Sequence, residues 1–247
     1  MIDAVLLCGG AGLRLRSVTG DAPKAMANIG GRPFLELLFK QLARHGFQRV
    51  ILAVGFQKSV IRSYFGERAF DLSLQYSEET IPLGTGGALR KAVDLIESDS
   101  ALIMNGDSYT NADLSGFAVD YLDAGVDASV LSVPADQRSD CGLVSVGQNG
   151  NVIRFREKQH LSGAQYINAG IYMVLRSLLR EIPAGLKLSL EEELFPQWLA
   201  NGKHIKAFVV PGRCIDIGTP ERYQVAQDVL ASVETDGIAI RSNDQSL

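Results

Sequence analysis

Residues 4–15 read AVLLCGGAGLRL, an apolar run followed directly by three glycines within four positions and then an arginine. The apolar run at 4–7 predicts a buried strand. The glycines let the backbone approach a ligand closely and turn its N–H groups toward phosphate oxygens, and Arg14 can add a two-point phosphate contact. The dinucleotide fingerprint and the P-loop are both excluded, because Leu15 stands where each motif requires a glycine. Taken alone, the same residues also fit a tight turn from strand to helix.

Beyond this turn, strand patterns alternate with helical patterns through the first half of the chain. Residues 34–45 show the apolar spacing of a helix. The predicted strands are 4–7, 50–54, 72–76 and 101–104, and the predicted helices are 34–45, 60–65 and 88–96. Such alternation is typical of an α/β domain with a mostly parallel central sheet flanked by helices. Ligands in these sheets bind beyond the carboxyl ends of the strands.

The second half carries more strand patterns and fewer helical ones. Its predicted strands are 129–133, 142–146, 152–155, 167–174 and 205–210. Asn149-Gly150 indicates a hairpin turn. Ser189 to Glu192 has the spacing of a capping box that opens a helix, and Thr219-Pro220 predicts the start of the final helix.

Composition limits the kinds of protein this chain can be. It has 247 residues, 46% hydrophobic and 21% charged, with a net charge of −4, so it can bury a full core and offers no basic surface for nucleic acid. Its three cysteines, Cys8, Cys141 and Cys214, are widely spaced, which argues against disulfides or zinc and favours a reducing, cytoplasmic setting. No stretch is long and apolar enough to be a membrane anchor. Formation of a homo-oligomer is left open.

Two aspartates follow apolar stretches at positions where a parallel sheet would place ligands. Asp107 ends the run at 101–104, and Asp216 precedes the Thr219-Pro220 helix start. Each also fits a turn or a helix cap. As a pair they would suit Mg²⁺, which binds hard oxygen donors and often takes only one or two carboxylates together with phosphate oxygens.

The motifs taken in order resemble a known family, the sugar-1-phosphate nucleotidylyltransferases. The resemblance begins with Gly9-Gly10-x-Gly12-x-Arg14 followed by Pro23-Lys24, continues through the segment 82–88 and Asn105-Gly106-Asp107, and ends at 216–220. It covers about nine tenths of the chain. It implies a single Rossmann-like α/β domain with a mixed, mostly parallel sheet, and an enzyme that joins a nucleoside monophosphate to a sugar 1-phosphate with Mg²⁺ as cofactor.

The resemblance also assigns roles to individual residues. In the family, the glycine turn binds the triphosphate, the segment after the third strand holds the base, and two aspartates bind the metal. The catalytic and metal-binding residues implied here are Arg14, Lys24, Asp107 and Asp216. The implied nucleotide-binding residues are Leu7, Gly9, Gly10, Gly12, Arg14, Lys24, Glu79, Gly84 and Thr85. The implied sugar-phosphate-binding residues are Gly142, Glu157, Lys158 and Asn168. Locally, Thr85 fits the N-cap of the next helix and 82–88 also fits a flexible loop, while Glu157-Lys158 also fits an exposed turn.

The expected organisation is a domain over residues 1–234, with a nucleotide-binding half (1–110), a sugar-phosphate-binding half (111–234) and a polar tail (235–247). The motifs are most similar to short guanylyltransferases that use D-glycero-D-manno-heptose 1-phosphate in glycan biosynthesis, so GTP and that sugar phosphate are the expected partners. Mannose 1-phosphate with GTP, or a hexose 1-phosphate with UTP or dTTP, are the alternatives. A non-catalytic sugar-nucleotide-binding subunit is disfavoured, because Arg14, Lys24 and both aspartates are present.

Overall fold

The computed structural model describes residues 1–135, 142–156 and 166–230, and it confirms the predicted α/β architecture. The strands are β1 (Asp3–Cys8), β2 (Asn28–Ile29), β3 (Arg32–Pro33), β4 (Arg49–Val54), β5 (Arg68–Ala69), β6 (Leu72–Glu78), β7 (Ser100–Asn105), β8 (Ser108–Tyr109), β9 (Ala128–Pro134), β10 (Leu143–Val146), β11 (Val152–Arg156), β12 (Tyr166–Leu175), β13 (Ile205–Val209) and β14 (Ile215–Asp216). The α-helices are α1 (Arg16–Thr19), α2 (Phe34–Arg44), α3 (Lys58–Phe65), α4 (Gly84–Ala92), α5 (Leu114–Ala124), α6 (Arg176–Arg180), α7 (Phe195–Ala200) and α8 (Pro220–Leu230).

The main sheet is mixed, with a parallel set of strands around β1 and mostly antiparallel pairs beyond β7. β1 lies at its centre, parallel to β4 on one side and to β7 on the other, and β6 continues the parallel set beyond β4. β12 then runs antiparallel to β7, and it also pairs antiparallel with β9 and β10. The carboxyl ends of β1 and β7 therefore open on the same edge of the sheet, which is where a ligand is expected.

The core lies on both faces of the sheet because successive side chains of a strand point to opposite faces. In β1, Leu6 joins the cluster on the face of α2 and α5, whereas Val5 joins the cluster on the face of α4 and α7. Both side chains are fully buried. A strand covered on both faces reads as a continuous apolar run, which is why β1 was recognisable from the sequence. Trp198 is buried in the second cluster.

The start of the α7 segment differs in detail from the predicted capping box. The Ser189 hydroxyl accepts the N–H of Glu192, as expected, but the carboxylate that accepts the N–H of Ser189 belongs to Glu193. The first turn is a π-turn, in which the N–H of Leu194 bonds to the carbonyl of Ser189. Because this turn is wider than an α-helical turn, the N–H of Ser189 bonds to the carboxylate of Glu193 instead of that of Glu192.

Three α-helices were missed, and one region cannot be compared. The helices α1, α5 and α6 were not predicted from the sequence, whereas the hairpin turn at 149–150 between the antiparallel strands β10 and β11 is confirmed. The predicted tail at 235–247 lies outside the described residues. The division into two halves at residue 110 stays a prediction.

Candidate active site

A cavity of about 320 Å³ opens beyond the carboxyl ends of β1 and β7. It collects residues that the sequence placed in separate motifs. Those predicted to bind nucleotide or metal that line it are Leu7, Gly9, Gly10, Lys24, Glu79, Gly84, Thr85 and Asp107. Cys8 lies in the same wall, where burial and the charge of Asp107 raise its pKa to about 12, which favours the neutral thiol.

The glycine turn after β1 is shaped around the lysine that follows it. Gly12 adopts a left-handed conformation with φ of 59°, and a Cβ added there would lie 2.9 Å from the Cβ of Lys24. The stem of Lys24 thus packs on Gly12, and glycine is needed both for the conformation and for the contact. Arg14 lies one turn further, exposed, and makes no ion pair with any residue in the described part of the chain. It is therefore available to an anionic ligand.

Glu79 is a buried carboxylate at the base of the segment 82–88. Its Oε2 accepts a weak hydrogen bond from the N–H of Leu83 at 3.4 Å, and it lies close to Gly9 and Gly55. Burial raises the pKa of Glu79, and the hydrogen bond from Leu83 offsets part of that rise. The cavity therefore contains an acceptor with little solvent around it.

The glycines at 84–87 allow a second segment to cross the first turn of α4. The N–H of Gly86 bonds to the carbonyl of Leu188 at 2.9 Å, and the N–H of Leu188 bonds to the carbonyl of Leu83 at 2.9 Å. A Cβ added at Gly84 would lie 2.4 Å from the carbonyl oxygen of Leu188, and one added at Gly87 would lie 2.4 Å from that of Leu186. We call residues 186–188 the crossing segment. It brings Lys187, which no sequence motif indicated, to the wall of the cavity.

Thr85 does not cap α4, contrary to the expectation from sequence. The helix begins at Gly84, with Leu83 in the capping position and no side-chain cap. The Thr85 hydroxyl instead donates to Glu191 Oε2 at 2.7 Å and accepts the N–H of Leu190 at 2.7 Å. A contact with a buried carboxylate from a distant segment has replaced the local capping bond.

The two predicted metal-binding aspartates are brought together by a two-stranded sheet. β8 pairs antiparallel with β14, so that Asp216 lies opposite Ser108, and the N–H of Ile217 bonds to the carbonyl of Asp107 at 3.0 Å. Each carboxylate contacts a cation: Lys24 Nζ binds Asp107 Oδ2 at one side, and Arg222 Nη1 binds Asp216 at the other. Among the described residues, no group of three or more His, Cys, Asp or Glu side chains could hold a metal ion.

The predicted sugar-phosphate residues are only partly within the described chain. Gly142 and Asn168 are held together by a hydrogen bond from the N–H of Asn168 to the carbonyl of Gly142 at 2.8 Å. Asn168 uses both ends of its side-chain amide, donating to the hydroxyl of Tyr172 and accepting the N–H of Gly170. Glu157 and Lys158 lie outside the described residues.

Arg222 was missed by sequence reasoning. It lies in the first turn of α8, six residues after Asp216, and its Nη1 contacts both carboxylate oxygens at 2.8 and 3.0 Å. The one signal in the sequence was the position of Arg222 in the first turn of a predicted helix, six residues after a suspected metal-binding aspartate. Lys187 gave none, because its place depends on a contact between segments about one hundred residues apart.

Comparison with known proteins identifies the family. A profile of the nucleotidyl transferase family matches residues 3–232. The chain belongs to this family. It is 35% identical to D-glycero-α-D-manno-heptose 1-phosphate guanylyltransferase of Campylobacter jejuni over 90% of this chain and 97% of that protein. It is also 35% identical to mannose-1-phosphate guanylyltransferase of Mycobacterium tuberculosis, but there it spans 62% of the longer relative.

A solved structure supports the same assignment. HddC from Yersinia pseudotuberculosis superposes with a TM-score of 0.82 at 33% identity, covering 93% of this chain and 100% of that one. The same protein complexed with GMP-PN gives a TM-score of 0.81. The nucleotidyl transferase fold expected from the motifs is thus confirmed. A search of the described helices found none with the length and apolar character needed to cross a bilayer.

We expect Gly87→Ala to destabilise the protein by about 1–3 kcal/mol, despite the better helix propensity of alanine, because the new methyl group would press on the carbonyl of Leu186. Urea unfolding would measure the change. Gly10→Ala is the matched control, since a Cβ there meets no atom within 4 Å. Equal stabilities of the two variants would contradict the close approach of the crossing segment.

Proposed function

We propose that this protein transfers the guanylyl group of GTP to the phosphate of a sugar 1-phosphate, with release of pyrophosphate. The observation that carries the proposal is that the glycine turn, Lys24 and Asp107 meet in one cavity at the carboxyl ends of β1 and β7. That arrangement offers main-chain N–H groups and a cation to phosphates. The likeness to guanylyltransferases along nearly their whole length supports it.

The reaction we propose is an in-line displacement. An oxygen of the sugar phosphate attacks the α-phosphorus of GTP, and the bond to pyrophosphate breaks. A phosphate monoester has a second pKa of about 6, so the nucleophile is already largely dianionic and no general base is required. Catalysis then consists of aligning two anions and stabilising their charge. Arg14 would bind the triphosphate, Lys24 would lie between the reacting phosphates, and Lys158 would hold the sugar phosphate.

A divalent cation fits the proposed site. Asp216, in β14, and Asp107, just before the paired strand β8, present two carboxylates, which is the donor set that Mg²⁺ prefers when phosphates and water complete its coordination. When bound, the cation would supply charge neutralisation for the reacting phosphates. Mg²⁺ is thus the cofactor that we assign to these two residues.

The base pocket we propose lies between Glu79 and the main chain at Gly84. Guanine presents N1–H and an exocyclic amine as donors, and the buried Glu79 carboxylate is an acceptor beside the cavity. Lys187, on the opposite segment, adds a donor that suits the O6 of guanine. These two groups are the basis for proposing GTP.

For the acceptor we propose D-glycero-D-manno-heptose 1-phosphate. The chain spans 97% and 98% of two relatives named for that sugar, compared with 62% of the mycobacterial mannose-1-phosphate enzyme. Cys214, a small side chain, is buried with its thiol donating to the carbonyl of Ala169. Mannose 1-phosphate is the second candidate, since a relative of equal identity is named for it.

We also propose that residues 1–110 bind the nucleotide and that residues 111–234 bind the sugar phosphate. The location that we propose for the protein is the cytoplasm.

Asp107→Asn and Asp216→Asn should each lower turnover by at least about a hundredfold, because each removes a charged metal ligand without changing core volume. Steady-state pyrophosphate release with GTP and Mg²⁺ measures the effect. Asp123→Asn, an exposed aspartate on α5, is the control and should keep wild-type activity. Full Mg²⁺-dependent turnover in either site variant would exclude the metal assignment.

GTP should be preferred over UTP and dTTP by at least about a hundredfold in kcat/KM, because a site built for the guanine edge leaves its polar groups unpaired with a pyrimidine. The heptose 1-phosphate should be preferred over mannose 1-phosphate by a smaller factor. Pyrophosphate release across these pairs tests both. A preference for UTP or dTTP would overturn the base assignment and leave the reaction class intact.

Glu79→Gln should reduce the preference for GTP over ITP by about tenfold or more, because ITP lacks the exocyclic amine that we pair with this carboxylate. Since burial raises the pKa of Glu79, the wild-type GTP/ITP ratio should fall on acidification at a higher pH than for an ordinary glutamate. Values of kcat/KM for both nucleotides across pH measure this. An equal loss with GTP and ITP would mean that Glu79 only supports the loop at Leu83.

A further inference from the structure

The charged groups beyond β7 form two neighbouring ion pairs. Lys24 Nζ binds Asp107 Oδ2, and Arg222 Nη1 binds both oxygens of Asp216 at 2.8 and 3.0 Å. The side chains of Asp216 and Arg222 are 17% and 22% exposed, so this pair is shielded from much of the solvent that weakens surface pairs. Both carboxylates of the proposed metal site therefore contact cations that belong to the protein.

The Arg222 pair is held in place by the turn before α8. The N–H of Gly218 donates to Asp216 Oδ1 at 2.9 Å, and the N–H of Arg222 bonds to the hydroxyl of Thr219 at 3.4 Å. A Cβ added at Gly218 would lie 2.8 Å from Asp216 Oδ1, 3.5 Å from Arg222 Nη1 and 3.7 Å from Lys24 Nζ. The two cationic groups and this carboxylate thus converge around Gly218, where an added side chain would press on Asp216.

This arrangement makes the carboxylates poor metal ligands while they are paired. A divalent cation that approaches Asp216 is repelled by the guanidinium that already contacts both carboxylate oxygens, so the cation binds more weakly while this ion pair persists. A nucleoside triphosphate changes the balance, because its phosphates supply oxygen ligands to the cation and negative charge to Arg222 and Lys24. When the two carboxylates bind the metal ion, Arg222 and Lys24 bind the phosphates in their place. Neither cationic side chain is then left without a counter-charge.

We propose that Arg222 is a positioning residue that competes with the divalent cation for Asp216, so that the metal binds together with the nucleotide. The inference rests on the proposed function for the identity of the nucleotide. It concerns the affinity of the site for metal, which can be measured with no reaction taking place. Arg222 acts through Asp216 and is not assigned a contact with the reacting atoms.

The test is the affinity of the nucleotide-free full-length protein for Mn²⁺, followed by the electron paramagnetic resonance signal of the free ion. Arg222→Met removes the charge and keeps most of the side-chain volume, and we expect Mn²⁺ to bind at least about tenfold more tightly than to the wild type. Lys203→Met is the control. It removes the same charge from an ion pair with Glu181, near the opposite end of the sheet, and should leave the affinity unchanged.

Two further measurements test the same inference independently. Arg222→Lys keeps the charge but loses the planar two-point geometry, so its Mn²⁺ affinity should lie between those of the wild type and the methionine variant. If Arg222→Met fails to fold by circular dichroism, this variant decides the matter. With guanosine 5′-(α,β-methylene)triphosphate present, wild-type Mn²⁺ binding should tighten by a larger factor than binding to the methionine variant, after correction for the ion held by free nucleotide.

An unchanged or weaker Mn²⁺ affinity in Arg222→Met, or in Arg222→Lys where the methionine variant is unfolded, would overturn the inference. So would an equal gain in Lys203→Met, because the effect would then be one of net charge. Failure of the proposed function is a separate result, seen as absence of pyrophosphate release by the wild-type protein with every sugar 1-phosphate tried.

Discussion

The pairing of β8 with β14 is the contact on which the geometry of the site depends. These two short strands join segments more than one hundred residues apart, and their ladder places Asp216 opposite Ser108, next to Asp107. Lys24 and Arg222 supply the counter-charges, one to each carboxylate, and so reduce the repulsion between two neighbouring negative groups. The glycine turn after β1 supports the same contact, because the stem of Lys24, which bonds to Asp107, packs on Gly12.

A second set of contacts links the two proposed halves of the domain. The Asn168 amide donates to the Tyr172 hydroxyl, which donates to Glu191 Oε1, while Glu191 Oε2 accepts the hydroxyl of Thr85. A buried carboxylate is stable when its oxygens accept hydrogen bonds in this way. The chain of bonds joins β12, on the proposed sugar side, to the start of α4, on the proposed nucleotide side. Rigid alignment of two substrates benefits from such a link.

The sequence was informative where a single local pattern decides the structure. β1, β4 and β7 are buried on both faces, so each reads as an unbroken apolar run. It was less informative where distant segments meet. Thr85 has the chemistry of a cap but bonds to Glu191, and α5 was missed because Val119 and Leu122 expose apolar side chains on its outer face and blur its pattern. The motif order located Asp107, Asp216 and Lys24, but Arg222 and Lys187 are positioned by tertiary contacts that no local pattern reveals.

The crossing segment also restricts how a chain of this design can diverge. Positions 84 and 87 admit no side chain while carbonyls of Leu188 and Leu186 lie against them, so drift at these positions is confined to glycine. The rim of the same cavity is under no such restriction, because the side chain of Lys187 is exposed and makes no ion pair or hydrogen bond with the described residues. New nucleotide preferences in descendants of this protein would therefore arise through substitutions at the rim of the cavity, such as at Lys187, while the glycines at 84 and 87 are kept.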